Sequence, residues 1–304
     1  MALPGNLSNK RLLVFGASGM LGRALIQPLL LAGCECRGLS RRECDITCVD
    51  SVIGCLRGFK PDIIVNCAVH TRVDQCESEE AAANMVNGKA VGQLALVARV
   101  YELKLVHFST DAVFDGSRDV PYKPADPVAP LSAYARSKLL GEREIQGVNH
   151  EGWLIIRTAW LFGDGHCFPR TILRRAQSGQ PLQVVHDQIG SPTFANDLAE
   201  ATVKLLGIGA CGIWHVVNSG EASWFDVARE TLKDAGLDAD VRPITTAEYL
   251  RLKPRQAPRP VYSVLDNSAY ARAVGSPMRD WREALRAAME SIAGYECQAK
   301  KASA

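Results

Sequence analysis

Polar and apolar positions follow two rhythms in the first half of the chain. Short apolar runs over 11–16, 35–39, 62–66, 104–109 and 153–157 predict strands, and stretches near 20–31, 47–58, 76–100 and 133–145 predict helices. Strict alternation of the two, with every helix long enough for a right-handed crossover, predicts βαβ units wound around a parallel sheet. After residue 157 the rhythm loosens into a helix near 168–178, a strand at 182–185, a helix near 195–208, a strand at 212–217 and a largely helical tail. The expected architecture is α/β, a Rossmann-type doubly wound parallel sheet over 1–158 to which 194–217 returns. A smaller, mainly helical C-terminal region is expected from 159–193 and 218–304.

Two segments interrupt the pattern. Pro121, Pro124, Pro127 and Pro130, together with Gly116, exclude a helix or a central strand from 115 to 130 and predict a long ordered loop. Such loops in compact domains often carry function. The run 253–260, with Pro254, Pro258 and Pro260, predicts a link inside the tail.

At 304 residues, 47% hydrophobic and 22% charged, the chain has ordinary globular composition and enough length for a sizeable core. A formal charge of +2 provides no broad field for nucleic acid or an anionic membrane, which leaves a small molecule as the expected partner. The N-terminal segment lacks the apolar centre of a signal peptide, and no window reaches the roughly 18 uninterrupted apolar residues of a membrane span. The expected location is the cytoplasm. The ten cysteines include no Cys-x-x-Cys pair, and several, such as Cys67, lie inside apolar runs and read as small reduced hydrophobes. The six histidines form no His-x-x-x-His or Cys/His cluster, so no metal site is expected.

Chemistry enters with Gly16-Ala17-Ser18-Gly19-Met20-Leu21-Gly22, where the first strand turns into the first helix. Glycines there permit a tight turn and let backbone amides approach a pyrophosphate at the positive end of the helix dipole. A glycine triplet is common by chance, and its place between first strand and first helix is what marks a dinucleotide site. Gly16, Ser18, Gly19, Met20 and Leu21 are the expected contacts. About 20 residues on, at the end of the second strand, a carboxylate would select NAD by taking the ribose 2′-hydroxyl. This chain has Ser40-Arg41-Arg42 instead, which suits a 2′-phosphate, so NADPH is expected, with NADH as the alternative. A solvated charge run would read the same way. Asp45 and Ile46 are placed beside the adenine, and Cys67 and Ala68 complete the expected cofactor contacts.

Tyr134 and Lys138 stand four residues apart in a predicted helix and share one face. An ammonium beside a phenol favours the phenolate, which makes Tyr134 a usable acid toward an alkoxide formed as hydride arrives. Both residues are also expected to touch the cofactor. Support comes from Ser109-Thr110-Asp111 at the C-terminal end of the fourth strand, where open α/β sheets present groups to ligands. Thr110 can hydrogen-bond a substrate carbonyl, and Asp111 is an expected substrate contact. The plainer alternative is that either residue caps the following turn.

These pieces, with segments at 61–68, 73–74, 109–116, 134–142 and 157–163, resemble the extended short-chain dehydrogenase/reductase superfamily. Asp187-Gln188-Ile189-Gly190-Ser191-Pro192-Thr193, Arg259-Pro260 and Asp280-Trp281-Arg282 narrow the resemblance to the dTDP-4-dehydrorhamnose reductase family, over nearly the whole chain. The resemblance implies NADPH-dependent reduction of the C4 ketone of a nucleotide-linked 6-deoxy-4-keto-hexose. It implies catalytic roles for Thr110, Tyr134 and Lys138, and a place for Trp160 beside the bound sugar nucleotide. Arg259 suits a diphosphate clamp, since one guanidinium can bind two oxygens, although a surface role serves equally. The family usually carries tyrosine where this chain has Ala112 and asparagine where it has Cys167. Loss of a phenol and an amide from a sugar-facing wall leaves the exact sugar open. Some relatives use magnesium, but no motif here identifies ligands for it, and a homodimer is left open.

Two other readings stay on the table. One is a non-catalytic NADP-binding regulatory subunit resembling the beta subunit of methionine adenosyltransferase, which keeps such a Tyr/Lys pair. The other is a sugar-nucleotide epimerase or dehydratase on the same scaffold. The narrower segments weigh against the first, and Ala112, where an elimination needs an acid, weighs against the second.

Overall fold

The computed structural model describes residues 7–290. The apolar runs of the first half form β1 (Arg11–Phe15), β2 (Glu35–Leu39), β3 (Ile63–Asn66), β4 (Lys104–Thr110) and β5 (Trp153–Thr158). Between them lie α1 (Met20–Leu31), α2 (Val49–Phe59), α3 (Val73–Cys76), α4 (Glu80–Asn84), α5 (Ala90–Val100) and α6 (Ala133–Gly147). The remainder comprises β6 (Leu161–Phe162), α7 (Phe168–Gln177), β7 (Leu182–Val185), β8 (Ile189–Gly190), β9 (Thr193–Phe194), α8 (Ala195–Gly207), β10 (Gly212–His215), β11 (Ala222–Ser223), α9 (Trp224–Asp234), β12 (Val241–Ile244), α10 (Thr246–Leu252) and α11 (Ser268–Val274). A last helix, α12, covers 281–290.

Six parallel strands form the main sheet in the order β10-β5-β4-β3-β1-β2. Successive side chains of a strand point to opposite faces, so one strand feeds two cores. Leu12 and Val14 of β1 join Leu25, Val106, Ile156 and Leu198 on one face, whereas Leu13 and Phe15 join Leu56, Ile64, Leu94 and Leu105 on the other. Burial on both faces explains why these strands read as continuous apolar runs. A third core gathers around the fully buried Trp281, with Phe162, Phe194, Val227 and Leu285.

The predicted single helix over 76–100 is broken into α3, α4, a π-helical turn at Met85–Lys89, and α5. The widened turn lies where α6 presses closest: a Cβ on Gly88 would run into Leu140, and one on Gly141 into the Asn87 carbonyl. The tail is largely helical but also contains β11, antiparallel to β8, and β12, parallel to β7. Pro243 argues against a strand in the sequence, yet is tolerated in a two-stranded ribbon where each strand has a free edge. The proline-rich loop is pinned at Tyr122, which stacks on Phe114 at 4.2 Å and bridges to Leu265. Among the described residues no helix is long and apolar enough to cross a membrane.

Candidate active site

A cleft of about 700 Å³ opens beyond the C-terminal ends of the central strands, the position at which open α/β sheets receive ligands. Its floor is made by the β1–α1 turn and the end of β3. Gly16 has φ +73°, and a Cβ there would lie 2.6 Å from Ala68 N, so the approach of turn to strand needs glycine. Helix α1 has Gly19 at its N-cap, with no side-chain cap and no acidic residue in its first turn. Its first amides are thus left for an anion, which fits the diphosphate of a dinucleotide.

Gly16, Ser18, Gly19, Met20, Leu21, Arg41, Asp45, Ile46, Cys67 and Ala68 all line this cleft. Ser40 does not: its N–H and hydroxyl both donate to Glu43 Oε2, each at 2.7 Å. Arg41 is 83% exposed and pairs with Asp45 at 3.2 Å. Sequence reasoning missed Arg23, which lines the cleft and donates to the carbonyls of Ser18 and Asp164, joining α1 to the loop after β6. One turn beyond Gly19 on the same helix, it could have been found from helical spacing. Asn66, within the 61–68 segment, also lines the cleft, as do His70 and His166, which no motif announces.

The proton-handling residues converge. Ser132 caps α6, its Oγ accepting from Ala135 N–H at 3.2 Å, which sets Tyr134 in the first turn and Lys138 one turn later. Both line the cleft with Thr110 and Asp111. Thr110 donates to Asp111 Oδ1 at 3.0 Å and accepts from Ala112 N–H at 3.1 Å, so it does cap the turn while facing the cleft. Burial raises the Asp111 carboxyl pKa, opposed by hydrogen bonds from Ser263, at 2.6 Å, and Thr110.

The expected lowering of the Tyr134 phenol by Lys138 is not what this arrangement produces. Burial pushes the phenol up, Asp111 and Cys76 push it further, and Arg259 and Thr110 pull the other way. The lysine is directed elsewhere: its Nζ donates to Phe108 O at 2.6 Å and lies 3.0 Å from His107 Nε2. Burial brings Lys138 down to about 8, opposed by Glu142 and Cys67.

On the substrate side, Trp160 lines the cleft and stacks on Trp224 with ring centroids 3.7 Å apart and planes within 7°. Its φ of +43° is unusual for a non-glycine residue, and a Cβ on Gly190 would collide with its indole. Arg259 pairs with Asp74 at 3.0 Å and acts electrostatically on Tyr134, although it is not part of the cleft lining. Cys167 is buried in the apolar core around Trp281 and is not part of the cleft lining, although Met20 and Trp160, which pack against that core, are. The hydroxyl oxygens of Ser109 and Thr158, two of the residues that line the cleft, are buried without a hydrogen-bond partner among the described residues. Among the described residues no group of three or more His, Cys, Asp or Glu could hold a metal ion.

The family model described as RmlD substrate binding domain matches residues 10–293. The spore coat polysaccharide biosynthesis protein SpsK of Bacillus subtilis is 42% identical over 277 residues, covering 91% of this chain and 95% of that protein. A dTDP-4-dehydrorhamnose reductase from Clostridium acetobutylicum superposes with a TM-score of 0.88 at 36% identity, covering 93% of this chain and 99% of that one. The Bacillus anthracis dTDP-4-dehydrorhamnose reductase, solved in complex with NADP, gives a TM-score of 0.86 at 33% identity, covering 93% and 98%. On a match that runs nearly end to end, in sequence and in fold, the chain belongs to the dTDP-4-dehydrorhamnose reductase (RmlD) family.

Proposed function

We propose that this protein reduces the C4 ketone of a nucleotide-linked 6-deoxy-4-keto-hexose in the cytoplasm, with NADPH as cofactor. The observation that carries this reading is the meeting of Thr110, Tyr134 and Lys138 in one cleft with the uncapped start of α1. The relative solved with NADP supports the choice of cofactor.

When bound, the nicotinamide supplies a hydride to C4. The backbone of Gly16 to Leu21 would hold the diphosphate, and Arg41, on leaving Asp45, would meet the 2′-phosphate. Thr110 turns its hydroxyl hydrogen from Asp111 to the C4 oxygen and orients the ketone. Tyr134, kept protonated by its buried setting, gives that oxygen its proton, and Lys138, whose Nζ is turned to Phe108 O and His107, resupplies the phenolate through an intervening hydroxyl or water. Asp111 accepts from a sugar hydroxyl, Trp160 offers its ring edge and apolar surface to the sugar nucleotide, and Arg259 swings from Asp74 to the substrate diphosphate.

The test is purified protein with NADPH and each isomer of a dTDP-4-keto-6-deoxyhexose, followed by loss of nicotinamide absorbance. Oxidation with at least one isomer is expected. NADPH binding with no oxidation by any isomer would instead favour the regulatory-subunit reading. Arg41→Ala is expected to weaken NADPH about tenfold, in the range for a charge-assisted hydrogen bond, and to leave NADH nearly unchanged. Equal losses for the two cofactors, measured by fluorescence titration, would show that Arg41 does not read the 2′-phosphate.

A further inference from the structure

Behind the cleft wall runs a buried chain of polar groups that the reaction described above does not use. Asn66 and His107 are cross-strand neighbours on β3 and β4. Asn66, His107 and Lys138 are each at most 2% exposed. Asn66 Oδ1 accepts from Ala68 N–H at 3.1 Å, and Ala68 belongs to the cleft floor. That bond turns the Asn66 amide nitrogen toward His107 Nδ1, 3.1 Å away. On the far side of the imidazole, Nε2 lies 3.0 Å from Lys138 Nζ.

The positions of the hydrogens follow from this order. An amide nitrogen carries two hydrogens and no usable lone pair, so Asn66 must donate to His107 Nδ1. A neutral imidazole with a bare Nδ1 holds its hydrogen on Nε2. Burial keeps His107 neutral. Nε2–H therefore points at Lys138 Nζ, and only an amine with a free lone pair can accept it. Adding a proton to that amine would set N–H against N–H. Relief requires the imidazole to change tautomer and the Asn66 amide to turn over, giving up Ala68 N–H.

We propose that His107 is a positioning residue for the reduction: with Asn66 it fixes the hydrogens around Lys138 Nζ and makes the lysine's proton easy to give up toward Tyr134 through an intervening hydroxyl or water. The other groups acting on the amine are the Phe108 carbonyl, which accepts from Nζ at 2.6 Å, Glu142, one turn along α6 and itself paired with Arg157 of β5, and the Cys67 thiol just after β3. Glu142 and Cys67 favour the ammonium, so burial and the His107 hydrogen bond oppose them together. A donor whose proton affinity lies near the working pH is the efficient one for resupplying a phenolate.

The purpose assigned to this chain rests on the reductase reading, whereas its existence is tested in cofactor-free protein. Nitrogen-15 spectra of labelled histidine, recorded above the Lys138 midpoint, should show His107 with a bare Nδ1 and a protonated Nε2; the opposite tautomer at that pH overturns the proposal. Carbon-13 titration of the Lys138 ε-methylene, assigned with Lys138→Met, should give a midpoint at about 8 or lower. In His107→Gln the amide can turn its oxygen to the ammonium, so the midpoint should rise about one pH unit, or about tenfold more ammonium at a given pH. The alkaline limb of the turnover profile should rise with it. A midpoint that stays or falls in folded His107→Gln overturns the proposal, as does a uniform loss of rate with the limb unmoved. Failure of wild-type protein to oxidise NADPH would remove the reductase reading and leave the titration result standing.

Discussion

Tyr134→Phe is expected to bind NADPH as tightly as the wild type and to turn over about 10²- to 10⁴-fold more slowly, the usual worth of a positioned general acid. The substitution removes one oxygen from the first turn of α6 and leaves the Ser132 cap and the apolar ring contacts in place. The phenol is pushed up by burial and by Asp111, so the wild-type residue holds its proton throughout the working range. Below about 8, where Lys138 retains its proton, turnover should be level, and it should decline above as the lysine empties. Stopped-flow and steady-state NADPH oxidation with parallel fluorescence titration of the cofactor check both parts. A rate within a few-fold of wild type would refute the acid role for Tyr134.

Glu142→Ala is expected to cost about 3–5 kcal/mol of folding stability, the penalty for stranding one member of a buried ion pair. Glu142 receives two parallel hydrogen bonds from Arg157, at 2.9 and 2.7 Å, and the side chains are 1% and 3% exposed. The same guanidinium donates to Pro124 O at 3.1 Å, so the pair fastens α6 to β5 and to the proline-rich loop. Removing the carboxylate leaves a buried charge facing one carbonyl. Urea unfolding followed by circular dichroism measures the loss. A midpoint near that of the wild type would mean that water or another acceptor reaches Arg157 readily, and that the pair does not secure the loop. Replacing both partners with apolar residues should restore much of the stability, because no charge is then left unpaired.

How far the sequence could be read depended on the physics of each part. The main sheet was legible because strands buried on both faces need uninterrupted apolar runs, and because the intervening helices must be long enough to cross over. The two-residue strands β6, β8, β9 and β11 are too short to carry any period. The predicted 76–100 helix is interrupted at 77–79, and the π-helical turn at Met85–Lys89 lies where Gly88 packs against Leu140 of α6, a tertiary contact with no local trace. In the site, the glycine turn was legible because steric approach to Ala68 demands it. The direction taken by Lys138 was not, since spacing along a helix tells which face a side chain shares but not which acceptor waits there. His107 reads as one more strand residue until its cross-strand neighbour is known to be Asn66. Trp160 could be placed by family pattern, yet its stacking partner Trp224 lies far along the chain.

The late arrival of β10 bears on how the molecule is made. It pairs with β5 from Gly212 beside Leu154 to His215 beside Arg157, and everything from β6 through α8 lies between them in the chain. As the polypeptide leaves the ribosome, β5 must wait with an open flank along residues that are almost all buried in the finished protein. An apolar strand with an unpaired flank is a template for other chains, and distant pairings form slowly. The nascent protein is therefore most prone to aggregate during that interval, before β10 is available. Once β10 docks, β5 becomes interior, and the opposite border of the sheet is β2, which shows solvent Glu35 and Arg37.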